Sequence, residues 1–125
     1  MILDTNAISA LAENNPGLLS LLASESKHHL PVPVLGEYRF GLKRSRYREQ
    51  IESWLDELEE EFIVLITDPD TARHYATIRE QLRRDGKPIP QMDIWIAALA
   101  LQYNQPIISR DAHFDLVDGV RRQSW

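Results

Sequence analysis

The alternation of short apolar segments with helical ones is the feature that most constrains the fold of this chain. Residues 1–3, 62–66 and 106–109 are apolar runs, which are typical of buried strands. Between them, apolar side chains recur at helical spacing. Strands separated by helices favour a parallel sheet covered by helices. We therefore predict an α/β fold, a three-layer α/β/α sandwich around a central, mainly parallel sheet.

The helical segments can be placed from their apolar spacing and their start signals. We predict helices over residues 5–13, 16–23, 34–43, 69–85 and 93–103, with further short extended segments at 29–33 and 120–123. We also predict a long amphipathic helix after residue 43, with Ile51, Trp54, Leu55 and Leu58 on one stripe. The segment 93–103 is apolar on almost every side, so we expect it to be deeply packed.

Length and composition limit the class of protein. The 125 residues fit one compact domain, predicted over 1–125, and the 43% hydrophobic content is ordinary for a globular protein. The absence of cysteine excludes disulfides and thiolate metal sites. No apolar run approaches the roughly 20 residues of a membrane-spanning helix. The first residues do not resemble a secretory signal, so we expect a cytoplasmic protein with no membrane partner.

Charge is unevenly distributed along the chain. A net charge of −5 argues against a polyanionic partner, but distribution matters more than the sum. Two basic groups stand out, and we predict that they form a phosphate-binding track. They are Lys43, Arg44, Arg46 and Arg48, and Arg79, Arg83, Arg84 and Lys87. The alternative is that they are solvated helix faces that pair with the acidic run at residues 57–61.

Four carboxylates occupy positions that a ligand site would use. Asp4 directly follows the first predicted strand, and Asp111 follows the strand at 106–109. Both should emerge at the carboxyl edge of the sheet, where ligands bind in such folds. Asp93 begins the apolar helix, and Glu37 stands in another apolar segment. Carboxylates in such surroundings are unfavourable unless they are paired or bind a cation.

Each acid also has a structural explanation: Asp4 and Asp93 as helix caps, Asp111 in a turn, and Glu37 on an exposed helix face. Taken together, four converging carboxylates would repel one another, and divalent cations relieve that repulsion. Oxygen ligands select Mg²⁺ or Mn²⁺, and such ions serve phosphodiester hydrolysis. The combination therefore predicts a metal-dependent hydrolase.

Four short blocks carry a resemblance to a known family. They read ILDTN at residues 2–6, VLGEYRFG at 34–41, MDIWIAA at 92–98 and IISRDAHF at 107–114. In this order they resemble the acidic blocks of PIN domains, and the whole pattern is similar to VapC toxins of toxin–antitoxin pairs. The resemblance implies an endoribonuclease dependent on Mg²⁺ or Mn²⁺, with an RNA substrate, a cognate antitoxin and a homodimeric assembly.

The resemblance also assigns the acidic site. It implies that Asp4, Glu37, Asp93 and Asp111 are the catalytic and metal-binding residues. Asp115 is a second acid near the fourth block, and it is an alternative or additional ligand beside Asp111.

Other residues of the blocks are given supporting roles. Thr5 and Ser109 would steady a carboxylate or a water molecule around the metal. Ser109 stands where the family often has threonine, which keeps the hydroxyl. The candidate substrate contacts are Asn6, Arg83 and Arg84. The alternative for Asn6 is that it satisfies the start of the first helix. His113 is close to Asp111 in sequence, but the predicted site does not require it.

Three other functions are compatible with parts of this pattern. A nuclease that cuts DNA would keep the same acidic site, so the sequence does not distinguish it from a ribonuclease. A phosphatase of the haloacid-dehalogenase kind also starts with a strand that ends in aspartate, but it requires a second acid where this chain has Asn6. A PIN-like module that binds RNA or a protein without catalysis is the alternative from another class. The presence of all four acids argues against it.

Overall fold

A parallel sheet of five short strands forms the centre of the molecule. In the computed structural model, which describes all residues 1–125, the strand order is β3-β2-β1-β4-β5. The strands are β1 (Ile2–Leu3), β2 (His29–Pro31), β3 (Ile63–Leu65), β4 (Ile107–Ile108) and β5 (Arg122–Gln123). Every neighbouring pair is parallel, which confirms the predicted sheet. The strand β1 therefore lies in the middle, with its carboxyl end next to that of β4.

Six α-helices and one 3₁₀ helix connect the strands. They are α1 (Thr5–Ala12), α2 (Pro16–Ala23), α3 (Val32–Leu42), α4 (Arg48–Glu61), α5 (Pro69–Asp85), α6 (Gln91–Tyr103) and the 3₁₀ helix (Ala112–Leu116). None of these helices is long and apolar enough to cross a membrane.

Local signals in the sequence fix several helix ends. The Asn15 side chain accepts a hydrogen bond from the Leu18 backbone N–H at 3.1 Å and caps α2. Asp68 and Thr71 form a reciprocal capping box at the start of α5. Gly86, with φ of 65°, ends α5 in the left-handed conformation that glycine adopts without strain.

The helix α6 forms the centre of the core. Its residues Ile94, Ile96, Ala97, Ala98, Leu99 and Ala100 are buried, which confirms the deep packing predicted for this segment. Neighbouring α3 and α5 contact α6, and the small alanine side chains allow close approach. Asp93 lies in the first turn of this buried helix.

Two local predictions were wrong. The segment 62–66 was expected to be a buried strand, but β3 is an edge strand, and Ile63 and Ile66 are 44% and 63% exposed. The helix α3 begins at Val32 rather than at residue 34. Proline in the first helical turn removes only a backbone donor that would have no partner there, so Pro33 does not delay the start.

Candidate functional site

The Ser109 hydroxyl connects the ends of the two central strands. It donates a hydrogen bond to Asp4 Oδ2 at 2.7 Å. It accepts one from the Asp111 backbone N–H at 3.0 Å and one from Asn6 Nδ2 at 3.2 Å. A hydroxyl has one donor and two acceptor positions, so Ser109 is fully used. The supporting role predicted for Ser109 thus has a geometric basis: it holds Asp4 and the backbone of Asp111 side by side.

Both the nitrogen and the oxygen of the Asn6 side-chain amide form hydrogen bonds within the chain. Besides its contact with Ser109, its Oδ1 accepts a hydrogen bond from the Arg110 backbone N–H at 3.2 Å. The side chain therefore braces the segment after β4. This geometry favours a positioning role over the substrate contact predicted for Asn6.

Asp93, Asp111 and His113 form the tightest cluster of potential ligands. His113 Nδ1 lies 3.0 Å from Asp93 Oδ2 and 3.0 Å from Asp111 Oδ1. One ligand atom of each residue lies within 4.8 Å of those of the other two. The structure therefore gives His113 a larger part in the site than the sequence indicated. The signal for it was its position two residues after Asp111, at the start of the 3₁₀ helix.

Glu37 joins the site from α3. Its Oε2 accepts a hydrogen bond from Thr5 Oγ1 at 3.2 Å, so the residue next to Asp4 holds it. The sequence placed Glu37 in apolar surroundings, and this was wrong: the residue is exposed, while Val34 and Leu35 of the same helix are buried. Thr5 therefore supports a carboxylate, as predicted.

The four acids influence one another electrostatically. Burial raises the pKa of Asp4, and the nearby charges of Asp111 and Glu37 raise it further, against the hydrogen bond from Ser109. Burial likewise raises the pKa of Asp93, where the hydrogen bond with His113 opposes the shift and the charges of Asp111 and Asp4 add to it.

No arginine or lysine forms an ion pair with Asp4, Glu37, Asp93 or Asp111. His113 is the one side chain of basic character at this cluster, and the hydrogen bond to Asp93 raises its pKa. Several carboxylate oxygens that have no arginine or lysine in ion-pair contact fit a divalent cation.

Helix capping and turn formation explain the positions of the aspartates only in part. Asp4 stands at the N-cap position of α1, yet its side chain makes no capping hydrogen bond. Asp93 is the third residue of α6 and does not cap it. Asp111 does cap the 3₁₀ helix, because it accepts a hydrogen bond from the His113 backbone N–H at 2.9 Å. Capping therefore accounts for Asp111 in part and for neither Asp4 nor Asp93.

Asp115 is occupied elsewhere. Arg122 donates to both of its carboxylate oxygens, from Nε at 2.9 Å and from Nη2 at 2.7 Å. This bidentate pair holds the pKa of Asp115 below its usual range. The structure brings Asp111 into the cluster and not Asp115, so the alternative assignment of Asp115 was wrong.

The two candidate arginines of α5 lie beside the same carboxylate. Arg83 forms two hydrogen bonds with Glu80, at 2.8 and 2.6 Å, and Arg84 Nε lies 4.0 Å from the same carboxylate. From the sequence we predicted that these arginines either bind substrate or pair with the acidic run at residues 57–61. The structure supports neither, because Glu80 of the same helix is their partner.

Comparison with known proteins places the chain in a family. The PIN-domain family matches residues 1–120. The chain belongs to the PIN-domain family. VapC ribonuclease Y4jK of Sinorhizobium fredii is 31% identical over 121 residues, covering 89% of this chain and 86% of the relative. Ribonuclease VapC1 of Haemophilus influenzae is 28% identical over 99% of this chain and 96% of its own length.

Solved structures agree with this assignment. VapBC-1 from nontypeable Haemophilus influenzae superimposes with a TM-score of 0.86 at 27% identity, over 99% of this chain and 96% of that one. FitAcB from Neisseria gonorrhoeae gives 0.82 at 28% identity, over 97% and 94%. The PIN-like α/β/α fold predicted from the sequence is thereby confirmed.

Proposed function

We propose that this PIN-domain chain is an endoribonuclease, the toxin of a toxin–antitoxin pair, which hydrolyses RNA phosphodiester bonds with divalent ions. The observation that carries the proposal is the cluster of carboxylates at the carboxyl edge of β1 and β4, which has no arginine or lysine partner. Relatives that match nearly the full chain are named as VapC ribonucleases, and this supports the same activity here.

The metal would be held by carboxylates that come from four separate segments. We assign Asp4, Glu37 and Asp93 to the principal ion, Mg²⁺ or Mn²⁺, with Asp111 completing the site. When bound, such an ion activates water and stabilises the charge that develops on a phosphate under attack. The assignment is supported by the oxygen-rich donor set and by the mutual coupling of these acids.

The surrounding residues orient the carboxylates. Ser109 fixes one oxygen of Asp4, and Thr5 fixes one oxygen of Glu37. His113 holds a proton at Nδ1 between Asp93 and Asp111, and its side chain is 46% exposed. These three contacts set the direction of the remaining carboxylate lone pairs.

An apolar groove offers a docking place for the antitoxin. It has a volume of about 490 Å³ and lies between the α1–α2 segment and α4, lined by Leu11, Leu19, Leu22, Trp54, Leu58 and Phe62. One wall of the groove comes from α4 and Phe62, the residue after it. An amphipathic antitoxin segment would lay its apolar side chains here. Homodimerisation stays a prediction.

Cleavage of RNA by the purified chain tests the proposed function. We expect cleavage of single-stranded RNA in Mg²⁺ or Mn²⁺, loss of cleavage in chelator, and loss in Asp93→Asn. The matched control is Asp70→Asn, an exposed acid that pairs with Arg73 at the start of α5.

The possible results of that assay distinguish the assigned site from other sites and a nuclease from a binding module. Cleavage by Asp93→Asn at the rate of the unmodified chain would reject the assigned site. Absence of both cleavage and Mg²⁺ binding in the unmodified chain would favour a non-catalytic binding module. Expression alone and together with the neighbouring gene tests the toxin role, for which we expect growth arrest only without the partner.

A further inference from the structure

The turn between α3 and α4 carries the largest group of unpaired positive charges in the molecule. Its four basic residues, Lys43, Arg44, Arg46 and Arg48, are all exposed. None of them forms an ion pair with a carboxylate. In contrast, most arginines of α3 and α5 do form one. We call residues 43–48 the basic loop.

The basic loop has a defined conformation. The Tyr47 backbone N–H donates to Ser45 Oγ at 3.1 Å, and Arg48 Nη1 donates to the Lys43 carbonyl oxygen at 3.4 Å. The loop and the start of α4 enclose a depression of about 380 Å³ that has no hydrophobic residue in its lining. One acid, Glu49, contributes to that lining. The depression suits a charged, hydrated ligand rather than an apolar peptide.

The helix α3 links the basic loop to the acidic site. It begins directly after β2, at the carboxyl edge of the sheet, and it ends at Leu42. Glu37 and Phe40 are three residues apart and so lie on one face of the helix. Phe40 lies about 4.5 Å beyond Glu37 along the helix axis. The helix then leads directly into the basic loop at Lys43. A single strand that leaves the acids along α3 can therefore pass Phe40 before it reaches the loop.

Two exposed aromatic side chains lie on that route. Phe40 is 79% exposed and Tyr47 is 54% exposed. The Arg46 guanidinium lies over the Tyr47 ring, 5.1 Å from its centre. Cations interleaved with exposed aromatic rings are the arrangement by which proteins hold a single-stranded nucleic acid, through its phosphates and the faces of its bases.

We propose that the exposed face of α3 and the basic loop bind the RNA strand beside the acidic site, with Phe40 stacking on a base and Arg44 and Arg46 contacting phosphates. The proposal rests on the proposed ribonuclease function and names the surface that holds its substrate. Charge decides the occupant: the chain as a whole carries −5, and here positive charge is left uncompensated. The basic group on α5 has less free positive charge, because Arg83 pairs with Glu80 and Arg84 Nε lies 4.0 Å from the same carboxylate.

The test measures RNA affinity without cleavage. Chain carrying Asp93→Asn is titrated with a short labelled oligouridylate at several salt concentrations. Adding Arg44→Ala and Arg46→Ala should weaken binding roughly 25-fold at about 0.1 M salt, since each phosphate contact on a single strand scales with salt to the power of about 0.7. The slope of log affinity against log salt should fall by about 1.4.

Two further variants separate charge from stacking. Phe40→Ala should weaken binding about tenfold and leave the salt slope unchanged, because a ring stacks on a base without releasing counter-ions. The matched control, Arg83→Ala with Arg84→Ala, should change affinity by less than about twofold, because these arginines are already paired.

Other outcomes overturn the proposal. Unchanged affinity and slope in the Arg44→Ala, Arg46→Ala variant would reject the surface, as would an equal loss in the α5 control. If these changes instead released a co-expressed antitoxin or altered the oligomeric state with RNA affinity intact, the surface would belong to a protein contact. The binding readout does not depend on cleavage, so failure of the ribonuclease activity is recognised separately.

Discussion

The acids at the carboxyl edge of the sheet and the acids on the outer surface are balanced in opposite ways. On the surface, Asp115 receives two hydrogen bonds from Arg122, and Asp56 and Glu59 share Arg39 at 2.7 and 2.8 Å. Each of these three carboxylates lies within ion-pair distance of an arginine of the chain itself. Such exposed pairs contribute little to stability.

At the carboxyl edge the chain supplies hydrogen-bond donors instead of strong cations. Asp4 has Ser109 and Asp93 has His113, and both acids are largely buried. Burial of carboxylates beside one another is unfavourable, and perturbed groups of this kind collect at functional sites. The difference is that the acids at the edge lack the arginine partners of the surface acids, which is the arrangement that the proposed metal site requires.

The largest expected effect is the difference in RNA cleavage between the Asp111→Asn and Asp115→Asn variants, whose acids are four residues apart. Asp111→Asn should reduce RNA cleavage about 100-fold or more, because it removes a carboxylate from the proposed metal site. Asp115→Asn should leave cleavage within about twofold, because its carboxylate serves Arg122. Equal losses of the initial cleavage rate in the two variants would contradict the assignment of Asp111 to the acidic site and of Asp115 to the surface.

A smaller effect is expected from removal of the Ser109 hydroxyl, which connects the ends of β1 and β4. Ser109→Ala leaves the Asp111 N–H, Asn6 Nδ2 and Asp4 Oδ2 without their common partner in a buried position. We expect the free energy of unfolding in urea to fall by about 1–3 kcal/mol. Ser24→Ala, which removes an exposed hydroxyl, is the control and should cost less. Similar values for both would contradict the bridging role.

The smallest effect concerns the pH dependence of the surface pair. Arg122 lowers the pKa of Asp115 below 3.8, so the pair stabilises the fold above that value and the gain is lost as the pH falls through the lowered pKa. The Asp115 side chain is 52% exposed, so the contribution is less than about 1 kcal/mol. Asp115→Asn should therefore be slightly less stable at neutral pH and equal in acid. A difference in unfolding free energy that persists in acid would contradict this.

Much of the fold could be predicted because it depends on local pattern. The alternation of segments gave the parallel sheet, and the apolar residues of α6 indicated a buried helix. The burial of β3 could not be predicted, because strand order depends on which strands pair. The same β-branched sequence, with Ile63 and Val64, fits a central strand and an edge strand equally well.

Asp4, Asp93 and Asp111 could be proposed from the sequence because each follows a strand or stands near the start of a helix. Their partners could not, because they come from distant parts of the chain or depend on the exact path of a loop. Arg122 lies in the last strand, and only its approach to the 3₁₀ helix removes Asp115 from the site. Likewise, the turn after Asp111 decides that His113 faces Asp93, 20 residues away in sequence.

The central claim is that Asp4 is held in a place where its charge destabilises the metal-free fold. A carboxyl group with a raised pKa carries this penalty above the raised pKa and loses it below the ordinary value. Asp4→Asn removes the charge and keeps an oxygen that can accept the Ser109 hydrogen bond. The urea unfolding free energies of both chains, measured at neutral pH in chelator and in Mg²⁺, therefore test the claim.

In chelator we predict that Asp4→Asn is more stable than the unmodified chain by roughly 0.5–2 kcal/mol. Mg²⁺ at about 100 times its dissociation constant should stabilise the unmodified chain by about 2.7 kcal/mol and the variant by much less. An Asp4→Asn chain that is less stable in chelator, and that gains as much from Mg²⁺ as the unmodified chain does, would contradict the account.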